Sequence, residues 1–396
     1  MSAAMEVDGH NRLRTRTRVA AYVLWDHLVR PKATQAHDVP WSVDAITPGW
    51  LTAVLCGSVP GARVECFEQA DGDSGSTVRQ RLELTYDEVG TAAGLPEQVF
   101  VKHTPTLLTR LASGLAGSVE ARFYTDLRSE LDIEAPHLLH TAQDRTSGRS
   151  MHLFDDVVAT RGAVFNRFHT RLGREHLDQA VDTLATLHGT YYDSRRLEDE
   201  LRWVPTYEGF VKSGERAGTR SGHEQAMDRC LHVVPKVVAD RRDEIWPTFM
   251  RNLALHRRNP RTLIHSDVHL GNWYVTATGR VGLADWQVLE RGHWARDLAY
   301  AVSTLCDEAD RGHWERDLLE RYLDRMRSTC SLRIGFDQAW DAYRSQMVGA
   351  LLMWTPTLVH PATMPDMQPE EMSMLMIRRT TVAIAELETL DVEVGA

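Results

Sequence analysis

His265-Ser-Asp-Val-His-Leu-Gly-Asn272, followed by Gly282-Leu-Ala-Asp285-Trp-Gln287, is the most informative stretch of the chain. Between them Trp273-Tyr-Val-Thr276 is a β-prone run, Ala277-Thr-Gly279 is a turn, and Arg280-Val-Gly-Leu-Ala284 returns, which predicts a hairpin. Asn272 and Asp285 lie about equally far from that turn, so strand pairing sets them side by side at its open end. Asp267 stands just before, on the loop that feeds the first strand. A carboxylate that accepts a proton, with an Asn and an Asp that together hold a hard cation, suits phosphoryl transfer from a nucleotide.

The order His-x-Asp-x-x-x-x-Asn, then Asp on a following strand, resembles the catalytic loop and metal-binding Asp of protein kinases. The wording is closer to the small-molecule branch of that superfamily: the aminoglycoside phosphotransferases, the choline kinases and the ecdysteroid-kinase-like proteins. Asp285-Trp-Gln287, with Arg296-Asp-Leu-Ala-Tyr300 after it, looks most like the last group. Protein kinases would carry Arg at the Ser266 position and Asp-Phe-Gly at 285–287, so a protein substrate is not expected. The resemblance implies an α+β, bilobal, protein-kinase-like fold, with an antiparallel-sheet N-lobe and a mostly helical C-lobe.

Bulk composition fits that expectation. A chain of 396 residues, 43% hydrophobic, buries a large core, most simply split into two lobes. A formal charge of −10 argues against a nucleic-acid partner, and no apolar run is long enough to span a bilayer. Five scattered cysteines without a CxxC pair suggest reduced thiols in a cytoplasmic protein and no zinc site. Arg12, Arg14, Arg16 and Arg18 precede the apolar run Val19–Trp25, but Asp26 and His27 cut it short and no small-residue cleavage site follows. A short amphipathic helix, packed on the body or lying near a partner, is expected there rather than a signal peptide.

Residues 1–44 read as an N-terminal extension, 45–156 as the nucleotide-binding N-lobe, and 157–396 as the C-lobe with the catalytic loop and acceptor-binding helices. Thr47 as N-cap and Pro48 at the first helical position predict a helix ending near Leu55. Leu82, Leu84 and Tyr86, alternating with polar residues, predict a first strand, and Gln98–Lys102 a second. Before the first lies Asp71-Gly-Asp-Ser-Gly-Ser-Thr77; Gly72, Ser74, Gly75, Ser76 and Thr77 offer N–H and hydroxyl groups to phosphates, although most such loops are plain turns. Val119, Phe123, Leu127 and Leu131 repeat every four residues as one helical stripe, with Glu120 off it.

Lys102 and Glu120 resemble the strand Lys and helix Glu whose ion pair sets the Lys against the α- and β-phosphates. Arg149–Val157 resembles the family's linker between lobes, where the main chain of Asp155 and Val157 would hydrogen-bond adenine. Leu184-Ala-Thr-Leu-His188 is similar to the helix beneath the catalytic loop, and His188 reads as a hydrogen-bonded core residue. His265 and Asp297 are expected to brace the loop.

The resulting expectation is an ATP- (or GTP-) and Mg²⁺-dependent kinase of small molecules, with Asp267 as proton acceptor, Asn272 and Asp285 as metal ligands, and a hydroxyl-bearing acceptor. Two alternatives stand beside it: a kinase-like binding protein without catalysis, and a phosphohydrolase using His265, Asp267 and His269 as metal ligands. Acidic runs such as Glu198–Glu200 and Glu370–Glu371 suit a cationic acceptor; Met364, Met367, Met372, Met374 and Met376 with Trp340 and Trp354 suit an apolar one, and either set is also ordinary surface or core. Oligomeric state leaves no mark in the sequence.

Overall fold

The computed structural model describes residues 2–74, 77–113, 116–167, 169–258, 260–360 and 367–393. The fold is bilobal and α+β. The chain divides into a sheet-bearing unit, which runs up to Asp126 and includes Pro136–Gly162, and a helical unit made of Leu127–Ala135 and the chain from Ala163 onward.

The first unit is built on five strands: β1 (Val64–Ser74), β2 (Val78–Tyr86), β3 (Gln98–His103), β4 (Leu138–Asp144) and β5 (Arg149–Asp155). They pair in the order β1-β2-β3-β5-β4, and every pairing is antiparallel. The alternation in β2 puts Leu82, Leu84 and Tyr86 inward, where they join Val99, Val101, Met151 and Leu153. Thr47 Oγ1 accepts the Trp50 N–H at 3.1 Å and opens the helix Pro48–Leu55, which sets Trp50 and Leu51 on that core. Each such fully buried side chain contributes about 1.5–3 kcal/mol.

The sheet differs from the sequence expectation at its edge. β1 precedes the strand Val78–Tyr86 and pairs with it to its end, with Gly72 opposite Gln80 and Ser74 opposite Val78, so Asp71–Ser74 belong to a strand rather than to a loop. β1 hides little apolar surface; Val64 is buried and Phe67 partly so, while Glu65 and Glu68 are exposed, which leaves almost no periodicity to read. The N-terminal helix is also longer than expected, Ser2–Val29, and stops just ahead of Pro31. Asp26, which interrupts the apolar run, is fully buried between Arg110 (2.5 Å) and Arg149.

Val119, Phe123, Leu127 and Leu131 are all buried, yet the helix carrying them is not regular. Ala116–Arg122 is α-helical, Phe123–Leu127 is a π-turn and Arg128–Glu130 is 3-10. A strict four-residue repeat exceeds the 3.6-residue turn, so a wider turn is needed to keep the stripe on one side.

In the helical unit Arg174–Tyr191 buries Leu177, Val181, Leu184, Leu187 and Tyr191, the stripe its periodicity predicts. Ala295–Leu305 is buried along its whole length, and Met347–Leu358 along most of it. Short strands carry the loops between: β6 (Val164–Phe165), β7 (Thr262–Ile264), β8 (Trp273–Val275), β9 (Val281–Leu283) and β10 (Glu290–Gly292). β6, β8 and β9 form one small sheet, and β7 pairs with β10. Met372 and Met376 belong to the packed interior, and Met364 lies outside the described residues.

Candidate active site

β7 ends at Ile264 and releases the loop that begins with His265. Asp297, at the start of Ala295–Leu305, reaches across and accepts the backbone N–H groups of His265 (2.6 Å) and Ser266 (3.0 Å). His188 Nε2 lies 3.3 Å from the same carboxylate, while its Nδ1 meets Tyr322 Oη at 2.8 Å. Burial pushes the Asp297 pKa up, but the hydrogen bond with His188 and the charge of Arg296 bring it below the usual carboxylate value. Burial lowers the His265 pKa, so its ring is neutral. That ring contacts the Ala284 carbonyl through Nε2 at 3.1 Å and accepts the Asp267 N–H through Nδ1 at 3.2 Å. His265 thus ties the loop to the residue before Asp285.

The hairpin forms as its sequence predicts. Trp273 pairs with Leu283, and the Ala284 N–H donates to the Asn272 carbonyl at 2.9 Å, which places Asn272 and Asp285 at the open end. Asn272 Nδ2 donates to the Asp267 carbonyl (2.7 Å) and to its Oδ2 (3.0 Å), so the Asn272 amide oxygen is the atom left for a cation. Ser266 (φ 67°) and Asp285 (φ 63°) both have left-handed backbones. For non-glycine residues this costs about 1–3 kcal/mol each and persists only where surroundings enforce it. At Ser266 the enforcement comes from Asp297 and from Glu290, whose carboxyl shares a 2.7 Å hydrogen bond with the Ser266 hydroxyl.

An Asn oxygen beside an Asp fits Mg²⁺, which takes one or two protein oxygens and completes its shell with phosphate and water. Among the described residues no three His, Cys, Asp or Glu side chains form a metal cluster. The alternative cluster has a further difficulty: both ring nitrogens of His265 have hydrogen-bond partners, and His269 Nδ1 accepts the Gly271 N–H. That leaves no imidazole pair with lone pairs for a metal.

In the sheet-bearing unit, Lys102 on β3 and Glu120 on Ala116–Arg122 meet at 2.8 Å, both almost wholly buried. Arg79 and His152 flank Lys102 in register. Burial, then the Lys102 charge and then His140 push the His152 pKa down to about 3, so a neutral ring neighbours the lysine. Gly72 and Ser74 lie at the end of β1 and Thr77 is buried beside β2, whereas Gly75 and Ser76 lie outside the described residues. The Asp155 N–H donates to the His137 carbonyl, and its carboxylate is held by the His137 N–H and Arg161. Val157 begins the helix Val157–Arg161, so its N–H has no partner within that helix. Asp156, overlooked in the sequence, caps that helix and pairs with Arg81. Glu290 left no mark in the sequence, and the Arg296 guanidinium lies over Tyr300, four residues on along its own helix, and over Tyr207, far away in the chain.

The family model described as the phosphotransferase enzyme family matches residues 93–334, more than half of the chain. No curated protein matches by sequence. Among solved structures, spectinomycin phosphotransferase in complex with ADP and spectinomycin has a TM-score of 0.48 at 14% identity, over 85% of this chain and 97% of that one. An aminoglycoside 2'-phosphotransferase in its GDP complex gives 0.47 at 11% over 87% and 97%, and choline kinase from Streptococcus pneumoniae 0.45 at 14% over 82% and 94%. By the family match, the chain belongs to the phosphotransferase enzyme family and is a phosphotransferase.

Proposed function

We propose that the chain is an ATP-dependent small-molecule kinase of the cytoplasm, working with Mg²⁺. One observation carries this reading: a single loop and hairpin bring Asp267, Asn272 and Asp285 together, with Asn272 bonded to Asp267. Mg²⁺ held by Asn272 and Asp285 supplies neutralisation of the donor's phosphate charge. Asp267 orients the acceptor hydroxyl and takes its proton late in transfer, a role in which position matters more than basicity. Lys102, set by Glu120, lies against the α- and β-phosphates; the segment 72–77 offers N–H groups to them, and the main chain around Asp155 and Val157 holds the base. All five cysteines are free thiols, which suits a reducing compartment. No helix among the described residues is long and apolar enough to cross a membrane.

The acceptor we favour is a moderately apolar alcohol. A polycationic sugar needs several uncommitted carboxylates, whereas Glu198 pairs with Arg261, Glu200 with Arg196 and Glu370 with Arg229. A panel of apolar alcohols, amino alcohols and aminoglycosides, assayed for ATP-dependent mass gain, tests this directly. Phosphorylation of apolar alcohols, with Mg²⁺ required, is expected. Efficient modification of kanamycin-like compounds alone would reverse the acceptor assignment.

A further inference from the structure

His269 lies two residues after Asp267 and is 7% exposed. Its Nδ1 accepts the Gly271 N–H at 3.0 Å, which leaves the proton of the neutral ring on Nε2. Glycine at 271 permits that approach, since a Cβ there would stand 3.0 Å from the ring's Cε1. Trp354, itself buried, fixes the ring from another side by an edge contact, with centroids 5.3 Å apart and planes at 76°. So held, His269 Nε2 lies 3.7 Å from Asp267 Oδ2, the same oxygen to which Asn272 Nδ2 donates at 3.0 Å.

We propose that His269 is a positioning residue for phosphoryl transfer: with Asn272 it secures Asp267 Oδ2, so that Oδ1 is the oxygen that receives the acceptor's proton. The inference rests on the functional reading above. In the step concerned, the hydroxyl proton passes to Oδ1 and the acceptor oxygen bonds to the γ-phosphorus. The bond from that phosphorus to the bridging oxygen breaks, its electron pair leaving on the nucleoside diphosphate. A separation of 3.7 Å is longer than a hydrogen bond. Contacts among catalytic groups commonly tighten once substrate is bound. A carboxylate with one oxygen secured offers the other in a single direction, which is the alignment that transfer requires.

Two substitutions separate this role from loop support. Asn places its amide oxygen where Nδ1 is, so His269→Asn keeps the bond from Gly271 and loses the donor facing Asp267. Gln places its amide nitrogen near Nε2, so His269→Gln keeps the donor and loses the bond from Gly271. The readout is Mg²⁺-dependent phosphate release from ATP with water as acceptor, alongside calorimetric ATP affinity. His269→Asn should lower turnover about tenfold or more with ATP affinity held, and His269→Gln should recover most of it. Wild-type turnover in the Asn variant, or equal loss in both, would overturn the assignment. So would a ¹⁵N NMR spectrum placing the His269 proton on Nδ1. Absence of phosphate release in the wild-type chain would instead overturn the functional reading, and this inference with it.

Discussion

The Asp297 carboxylate accepts two N–H groups of the loop that begins at His265 and stands beside His188 Nε2, all in the interior. Removing it strands three buried polar groups at once. Asp297→Ala should therefore cost about 3–5 kcal/mol and abolish turnover. An unchanged denaturation midpoint would refute this support role. Glu290, the other brace, is buried, and desolvation outweighs Ser266 and Arg296, so its pKa is pushed from 4.5 up to about 8. The folded chain then holds a proton that the unfolded chain has lost, and the stability contributed by this group falls as pH rises from 4.5 to 8. Glu290→Gln keeps the hydrogen bond to Ser266 without a titrating proton. Its melting temperature should match wild type at acid pH and exceed it increasingly towards pH 8. A gap that narrows with rising pH would contradict the assignment.

At the scale of elements, the β8–β9 hairpin sets the spacing of Asn272 and Asp285, and Gly282 is its tightest point. A Cβ on Gly282 would lie 2.2 Å from the Tyr274 ring, whose hydroxyl donates to Glu134 at 3.0 Å. Gly282→Ala must displace that ring or the strand; a loss of about 1–3 kcal/mol is expected, with lower turnover, by denaturation and assay. This hairpin was legible in the sequence because its turn chemistry and strand run are local. The helix Arg174–Tyr191 was legible for the same reason, a stripe at the right period. β1 was not, since an edge strand that buries little leaves no alternation. The π-turn at Phe123–Leu127 was hidden too, although the four-residue spacing of the stripe was its only trace. Asp156 and Glu290 answer to partners far away in the chain, as Arg296 does to Tyr207, and a sequence read locally does not show them.

For the whole molecule, stability turns on a buried ionic anchor. In the sheet-bearing unit it is Asp26, held by Arg110 and Arg149, which fastens the N-terminal helix. Asp26→Ala leaves two arginines without their carboxylate and should destabilise that unit by about 3–5 kcal/mol, seen as an earlier unfolding transition. Coincident wild-type and variant transitions would refute the anchor. One loop and one hairpin divide proton acceptance from cation binding in the proposed site, a division that calorimetric titration with ATP, with and without Mg²⁺, puts to the test. Wild type and Asp267→Asn should both show Mg²⁺-enhanced ATP affinity, with turnover in the Asn variant lower by orders of magnitude. In Asp285→Ala the Mg²⁺ enhancement itself should vanish. Unchanged Mg²⁺-dependent affinity in Asp285→Ala, or near-normal turnover in Asp267→Asn, would rule that division out.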